Sequence, residues 1–168
     1  MSEILIENAE LRLRRAEPDD LEYILGLQND PENAPFIVPF ERENWIEILD
    51  GRAEPKLAAI AELLNGERCG YILLDHFDDI SMYLWHLVIG SKGHGVGHET
   101  LRLLKRFVFD VLNRHRLLID CETTNARALH LYDSEGFRRE GLFRESVCIG
   151  GEYKDLIIFA MLRHEYRD

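Results

Sequence analysis

The chain has 168 residues, enough for one compact domain, 1–168, with a substantial core; 46% are hydrophobic and five are proline. Twenty basic against 31 acidic residues leave a formal net charge of −11, which opposes binding to the nucleic-acid backbone. No apolar run approaches the roughly 18 residues that span a bilayer, and residues 1–10 lack the basic and apolar parts of a signal peptide, so a cytoplasmic protein with no membrane partner is expected.

Residues 11–15 alternate apolar and basic side chains as an accessible strand does, and Pro18-Asp19-Asp20-Leu21 then opens a helix with proline and acids in its first turn. Residues 30–40 hold three prolines and little periodicity, which predicts a loop. A short helix follows, with Trp45, Ile46, Ile48 and Leu49 as its apolar side. Strands over 56–64 and 68–76 flank Asn65-Gly66, a strong hairpin signal, and a third apolar run covers 83–89. An amphipathic helix is predicted over 98–113, a buried strand over 117–121, a helix from Asn125, and a closing hairpin over 137–162 with Gly150-Gly151 at its turn. The order β-α-α-β-β-β-α-β-α-β-β implies a mixed α/β sheet with helices on both faces. Cys69, Cys121 and Cys148 are widely spaced, form no Cys-x-x-Cys and read as core thiols.

Between the third apolar run and the long helix lies Lys92-Gly93-His94-Gly95-Val96-Gly97. A strand, a turn of small residues and a helix N-terminus together aim unpaired backbone N–H groups at one point, where an anion is expected. A P-loop is excluded because Lys92 precedes the glycines, and a dinucleotide fingerprint because its last glycine position holds His98. The remaining pattern, Lys92-x-x-Gly95-x-Gly97, resembles the loop with which GNAT acetyltransferases wrap the pyrophosphate of acetyl-coenzyme A. Residues 125–137, running from Asn125 through Ala128, Leu131 and Tyr132 to Gly136-Phe137, look like the second GNAT signature with every keyed position filled. Read without the family, the same stretch has Asn125 as N-cap, Ala128 and Leu131 on one face, and Gly136 as a left-handed C-cap. The resemblance covers essentially the whole chain, and residues 137–156 look like the RimJ/RimL-type branch.

The resemblance implies a GNAT-type, mostly antiparallel central sheet and an acetyl-CoA-dependent N-acetyltransferase with direct transfer to an amine. Leu87, Val88 and Ile89 would meet the acetyl carbonyl and pantetheine arm. Lys92, Gly93, His94, Gly95, Val96, Gly97 and His98 would form or flank the phosphate site, and Asn125 and Arg127 would border the coenzyme arm. Tyr132 matches the family tyrosine that protonates the departing sulfur; the alternative is a tyrosine packed in the core. Many relatives carry a base glutamate on the strand before the loop, but 83–89 has no carboxylate. His86 is the titratable candidate there, with a packed histidine as the alternative.

Lysine at position 92 departs from the usual arginine or glutamine, keeping charge while losing the bidentate fork. Lys92, Arg102, Lys105, Arg106, Arg114 and Arg116 gather near the phosphate helix, either balancing coenzyme charge or forming a solvated face. His94 and His98 have a helix-like separation, but Gly95 and Gly97 lie between them and His98-Glu99 is followed by Arg102 and not by the second histidine of a zinc motif, so no metal is expected. By resemblance the acceptor, a protein N-terminus or a small amine, lies among residues 32–45 and near Tyr153, and the apolar closing hairpin is compatible with a homodimer. A coenzyme A-binding module without turnover is the competing class.

Overall fold

The computed structural model describes residues 2–53, 55–76, 78–90 and 92–167. Strands β1 (Ile4–Glu7) and β2 (Leu11–Arg15) lead into helices α1 (Leu21–Gln28) and α2 (Arg42–Leu49). The middle of the chain gives β3 (Leu57–Leu63), β4 (Arg68–His76), β5 (Ser81–Ile89) and helix α3 (Val96–Arg106). Strand β6 (Arg116–Glu122), helix α4 (Ala126–Ser134) and strands β7 (Arg138–Ile149) and β8 (Glu152–Leu162) complete it. The strands form one sheet in the order β1-β2-β3-β4-β5-β6-β8-β7. Every neighbouring pair is antiparallel except β5 with β6.

Local sequence explains most of these elements. Gly66 (φ 90°) turns β3 into β4, and Gly150 and Gly151 (φ 59° and 83°) turn β7 into β8. Strand β1 is an addition to the expected order: its Ile-Leu-Ile-Glu run has no alternation to mark it, and antiparallel pairing with β2 defines it. The long helix also differs from expectation, beginning at Val96 and widening into a π turn at Phe107–Val111, with Asn113 left-handed just beyond (φ 52°).

Two cores lie on opposite faces of the sheet. Leu101, Leu104 and Phe107 of the α3 segment and Tyr132 of α4 pack on Leu74, Met82, Leu84, Leu117 and Ile119. Ile24 of α1 and Trp45 and Ile48 of α2 pack on Ile60, Tyr71, Leu73 and Val88. Helices therefore cover both faces, as expected. One correction concerns the cysteines: Cys69 and Cys121 are buried, whereas Cys148 is exposed on β7, which forms the sheet edge.

Near β2, Arg14 bridges the buried carboxylates of Asp20 and Glu62 at 2.7 and 2.5 Å. Burial opposes ionisation of both, and their hydrogen bonds to arginine outweigh it, holding each carboxyl below its ordinary pKa.

Candidate active site

The single parallel pairing creates the most open feature of the sheet. Strand β5 pairs with β4 along its length, with a bulge at Trp85, where the partners step from Leu73–His86 to Leu74–Leu84. Its other edge pairs with β6 through four residue pairs only, from Ser81–Arg116 to Leu84–Ile119. Beyond that point the two strands part, while β6 stays paired with β8 as far as Glu122. The result is a fork whose prongs are residues 85–89 and 120–122, with backbone polar groups on its inner edges that no strand satisfies. Leu87, Val88 and Ile89 all lie on the β5 prong.

The glycine loop follows that prong. Gly95 is the N-cap of α3 in a left-handed conformation, and no side chain caps the helix, so its first-turn amides face outward. Gly93 and Gly95 have positive φ (84° and 74°), and nothing lies within 4 Å of where a Cβ would stand on either. The loop therefore presents open space above N–H donors and a helix N-terminus, an arrangement that fits a pyrophosphate.

The basic side chains are placed differently from expectation. The Lys92 ammonium reaches Glu32 (3.1 Å) and the side-chain oxygen of Asn33, tying the glycine loop to the 30–40 loop. Lys105 is buried, donating to the Glu135 carboxylate at 2.9 Å and to its backbone carbonyl at 3.1 Å. Arg102 contacts Glu99 and Glu135, and His98 Nδ1 lies 2.7 Å from Glu135 Oε1. Burial opposes the charge on Glu135, and the hydrogen bonds from His98, Lys105 and Arg102 outweigh it, so its pKa is lowered. Arg116 pairs with Glu140, and Arg114 donates to the carbonyl of Asp79. The expected basic cluster is thus mostly a set of ion pairs that join elements. His94 and Arg127 remain exposed beside the loop and α4.

Asn125 caps α4 as its sequence predicts, its side-chain oxygen accepting the Ala128 N–H at 3.1 Å. Tyr132, 5% exposed, packs its ring on Phe159 (5.5 Å) and Phe137 (6.2 Å). Its hydroxyl has no hydrogen-bond partner among the described residues, and burial, with Cys121, Asp120 and Tyr83 nearby, pushes its pKa well above the ordinary value. The phenol is therefore a held proton at neutral pH.

His86 is placed against a proton-accepting role. It is buried among Phe40, Trp45 and Tyr71, with Nδ1 3.2 Å from the Tyr71 hydroxyl and Nε2 3.1 Å from the carbonyl of Val38. Burial lowers its pKa to about 4, partly offset by the bond to Val38. Both nitrogens are engaged, and the residue fits the packed alternative. Trp45 lies on the buried apolar side of its helix, as its spacing predicts, and donates its Nε1–H to Gln28 at 3.0 Å. Gln28 also holds Phe40 through both backbone groups at 3.0 Å, closing the 30–40 loop onto α1.

A pair absent from the expected site residues stands at the fork itself. Tyr83 on β5 donates its hydroxyl to Asp120 Oδ2 on β6. Burial raises the Asp120 pKa, and the Tyr83 bond lowers it only in part. The signal in the sequence was a carboxylate inside the otherwise apolar run 117–121; its tyrosine partner, 37 residues away, carries no local mark. Among the described residues no group of three or more His, Cys, Asp or Glu side chains is arranged to hold a metal ion, and no helix is long and apolar enough to cross a membrane.

Comparison with known proteins places this geometry. The family model described as "Acetyltransferase (GNAT) domain" matches residues 10–138. The chain is 24% identical over 166 residues to spermidine N(1)-acetyltransferase of Escherichia coli, covering 93% of this chain and 88% of that one. It is 30% identical over 177 residues to the probable N-acetyltransferase YjcK of Bacillus subtilis, with 94% and 97% covered. The spermidine N-acetyltransferase of Vibrio cholerae, solved in complex with CoA and spermine, has the same fold, with a TM-score of 0.83, 23% identity, and 95% and 99% covered.

Proposed function

This chain belongs to the GNAT acetyltransferase family and is an acetyl-CoA-dependent N-acetyltransferase, and on that premise we propose that it transfers the acetyl group directly to a small primary amine of the polyamine class. The carrying observation is the fork between β5 and β6, which opens beside an uncapped helix N-terminus and a glycine loop free of obstruction. When bound, acetyl-CoA supplies an activated acetyl group. In this reading the amides of residues 93–98 hold its pyrophosphate, the free edge of Leu87, Val88 and Ile89 takes its extended arm, and Asn125 and Arg127 flank it. Tyr132, kept protonated by burial, holds the proton that the leaving sulfur needs.

The polyamine class is supported by the relatives named for spermidine and by the net charge of −11, which draws polycations inward. The likeness of residues 137–156 to the RimJ/RimL-type branch favours a second acceptor, a protein N-terminal amine. Both readings treat 1–168 as one cytoplasmic domain, and the exposed Leu142 and Phe143 of β7 make that edge the surface for a homodimer.

The test is acetylation of spermidine, of simple diamines and of peptides with free N-termini, followed by mass spectrometry with acetyl-CoA as donor. Transfer to polyamines is expected, lost about 100-fold in Tyr132→Phe. Acetyl-CoA should raise the melting temperature of the wild type and leave Gly95→Glu unmoved, since a carboxylate there would occupy the anion position. Acetylated peptides without acetylated polyamines would replace the first acceptor by the second.

A further inference from the structure

Most of the buried carboxylates of this protein are answered by cations, and two acidic side chains at the end of β6 are not. Asp20 and Glu62 are paired with Arg14, and Glu135 with Lys105 and Arg102. Glu122 is buried without an ion pair among the described residues but accepts from the Thr123 hydroxyl and from the amide and hydroxyl of Thr124. Asp120, largely withdrawn from water, likewise has no cationic partner among the described residues and only one donor, the Tyr83 hydroxyl. A buried anion satisfied by one neutral donor is costly unless a cation arrives beside it.

Its position names that cation. Asp120 is the first residue of β6 past the last β5–β6 pair, at the root of the fork. Leu117, Ile119 and Cys121 face the core under α3 and α4, so strand alternation sends Asp120 to the other face; Tyr83, between Met82 and Leu84 of that same core, shares it. There Trp85 lies 5.1 Å from the Tyr83 ring and Phe40 lies 6.0 Å from Trp85, an aromatic wall suited to an alkylammonium group. The other titratable groups around Asp120 are Glu122, two residues further along the same face of β6, Tyr132 on α4 and Cys121 on its own strand; burial holds Tyr132 and Cys121 neutral.

We propose that Asp120, oriented by Tyr83, is the carboxylate that receives the ammonium group of the acceptor and removes its proton before acetyl transfer. The N–H bond breaks with its electron pair left on nitrogen, and the proton joins an Asp120 oxygen, giving a neutral amine and a neutral carboxylic acid that later releases the proton to water. Asp120 thereby fills the place left by the absent carboxylate on β5 and by a histidine whose nitrogens are both occupied. The proposal rests on the amine-acetylation reading above.

Three measurements on Asp120→Asn and Tyr83→Phe test it: the pH profile of kcat/KM for spermidine, calorimetric binding of spermidine, and the melting-temperature shift with acetyl-CoA. Asp120→Asn should keep the coenzyme-induced shift, bind spermidine at least about tenfold more weakly, and lose about 100-fold in kcat/KM near neutral pH, regaining activity as pH rises and the amine deprotonates unaided. Tyr83→Phe removes the donor that favours the ionised carboxylate, so the acid limb of its profile should move to higher pH. If Asp120→Asn fails to fold, that movement decides alone. An Asp120→Asn enzyme within about threefold of wild type, or an acid limb unmoved in Tyr83→Phe, overturns the proposal. Failure of the underlying reading has another signature: the wild type binds acetyl-CoA but neither binds nor acetylates any amine, and the assignment of Asp120 falls with it.

Discussion

His86 shows how much one buried ring decides about the seating of the 30–40 loop. Its imidazole ties Val38, in the 30–40 loop, to Tyr71 in β4 and stays neutral in the folded state because burial holds its pKa at about 4. In the unfolded chain the ring takes a proton near pH 6.5. The unfolded state therefore binds more protons below that value, so the stability contributed by the neutral ring is complete above pH 6.5 and is lost as pH falls toward 4. Between pH 7 and pH 5 the loss should be about 2 kcal/mol, readable by urea unfolding. His86→Gln keeps a donor and an acceptor without the titration, and its stability should fall less over the same interval; an equal slope would refute the account. At this scale the sequence was legible wherever function is written in a local run. Asn125 caps its helix as its spacing dictates, and Gly93 and Gly95 adopt the left-handed backbone that glycine permits. His86 was not legible, since its partners, Val38 and Tyr71, are brought to it by tertiary packing.

Helices α3 and α4 are joined by ions more than their amphipathic patterns announce. Glu135 ends α4 and Lys105 lies near the end of α3, with side-chain exposures of 5% and 7%. A lysine at that depth requires its anion, so Glu135→Gln should cost about 3 to 5 kcal/mol. Replacing both, Lys105→Met with Glu135→Leu, should cost less than Glu135→Gln alone, because no charge is left stranded. Denaturant unfolding of the singles and the double measures this coupling, and strictly additive losses would remove it. Lys105 looked in the sequence like a base that balances coenzyme phosphates or faces water, because charge alone does not reveal which side of a helix a neighbour will cover. The same limit hid the end of α3, where the apolar pattern continues smoothly into the π turn at Phe107–Val111. Strands fared better: β2 and β4 begin and end where alternation and the Asn65-Gly66 turn place them.

For the molecule as a whole, charge and topology act together. With a net charge of −11, the protein attracts polyamines and repels the anionic coenzyme at long range. Raising ionic strength from about 0.05 M to 0.5 M should lower kcat/KM for spermidine by roughly tenfold, while KM for acetyl-CoA falls or stays level. Steady-state kinetics across a salt series distinguishes this from a general salt effect, which would weaken both substrates alike. The overall α/β order and the helices on both faces were legible because hairpin turns and period changes are local. The fork was not legible, since nothing in residues 117–122 says where pairing with β5 must stop.

That short seam has a mechanical consequence. Strands β1 to β5 form one antiparallel plate and β6, β8 and β7 another, and their ladder is only the four residue pairs from Ser81–Arg116 to Leu84–Ile119, reinforced by the bonds of His115 and Arg116 to the Ile80 carbonyl and by the Tyr83–Asp120 bond. The sheet is thus two plates on a hinge, braced from one side by α3 and α4. Backbone amides on the inner edges of residues 85–89 and 120–122 should therefore exchange readily with solvent, and a chain laid into the gap should act as a splint that slows exchange on both at once.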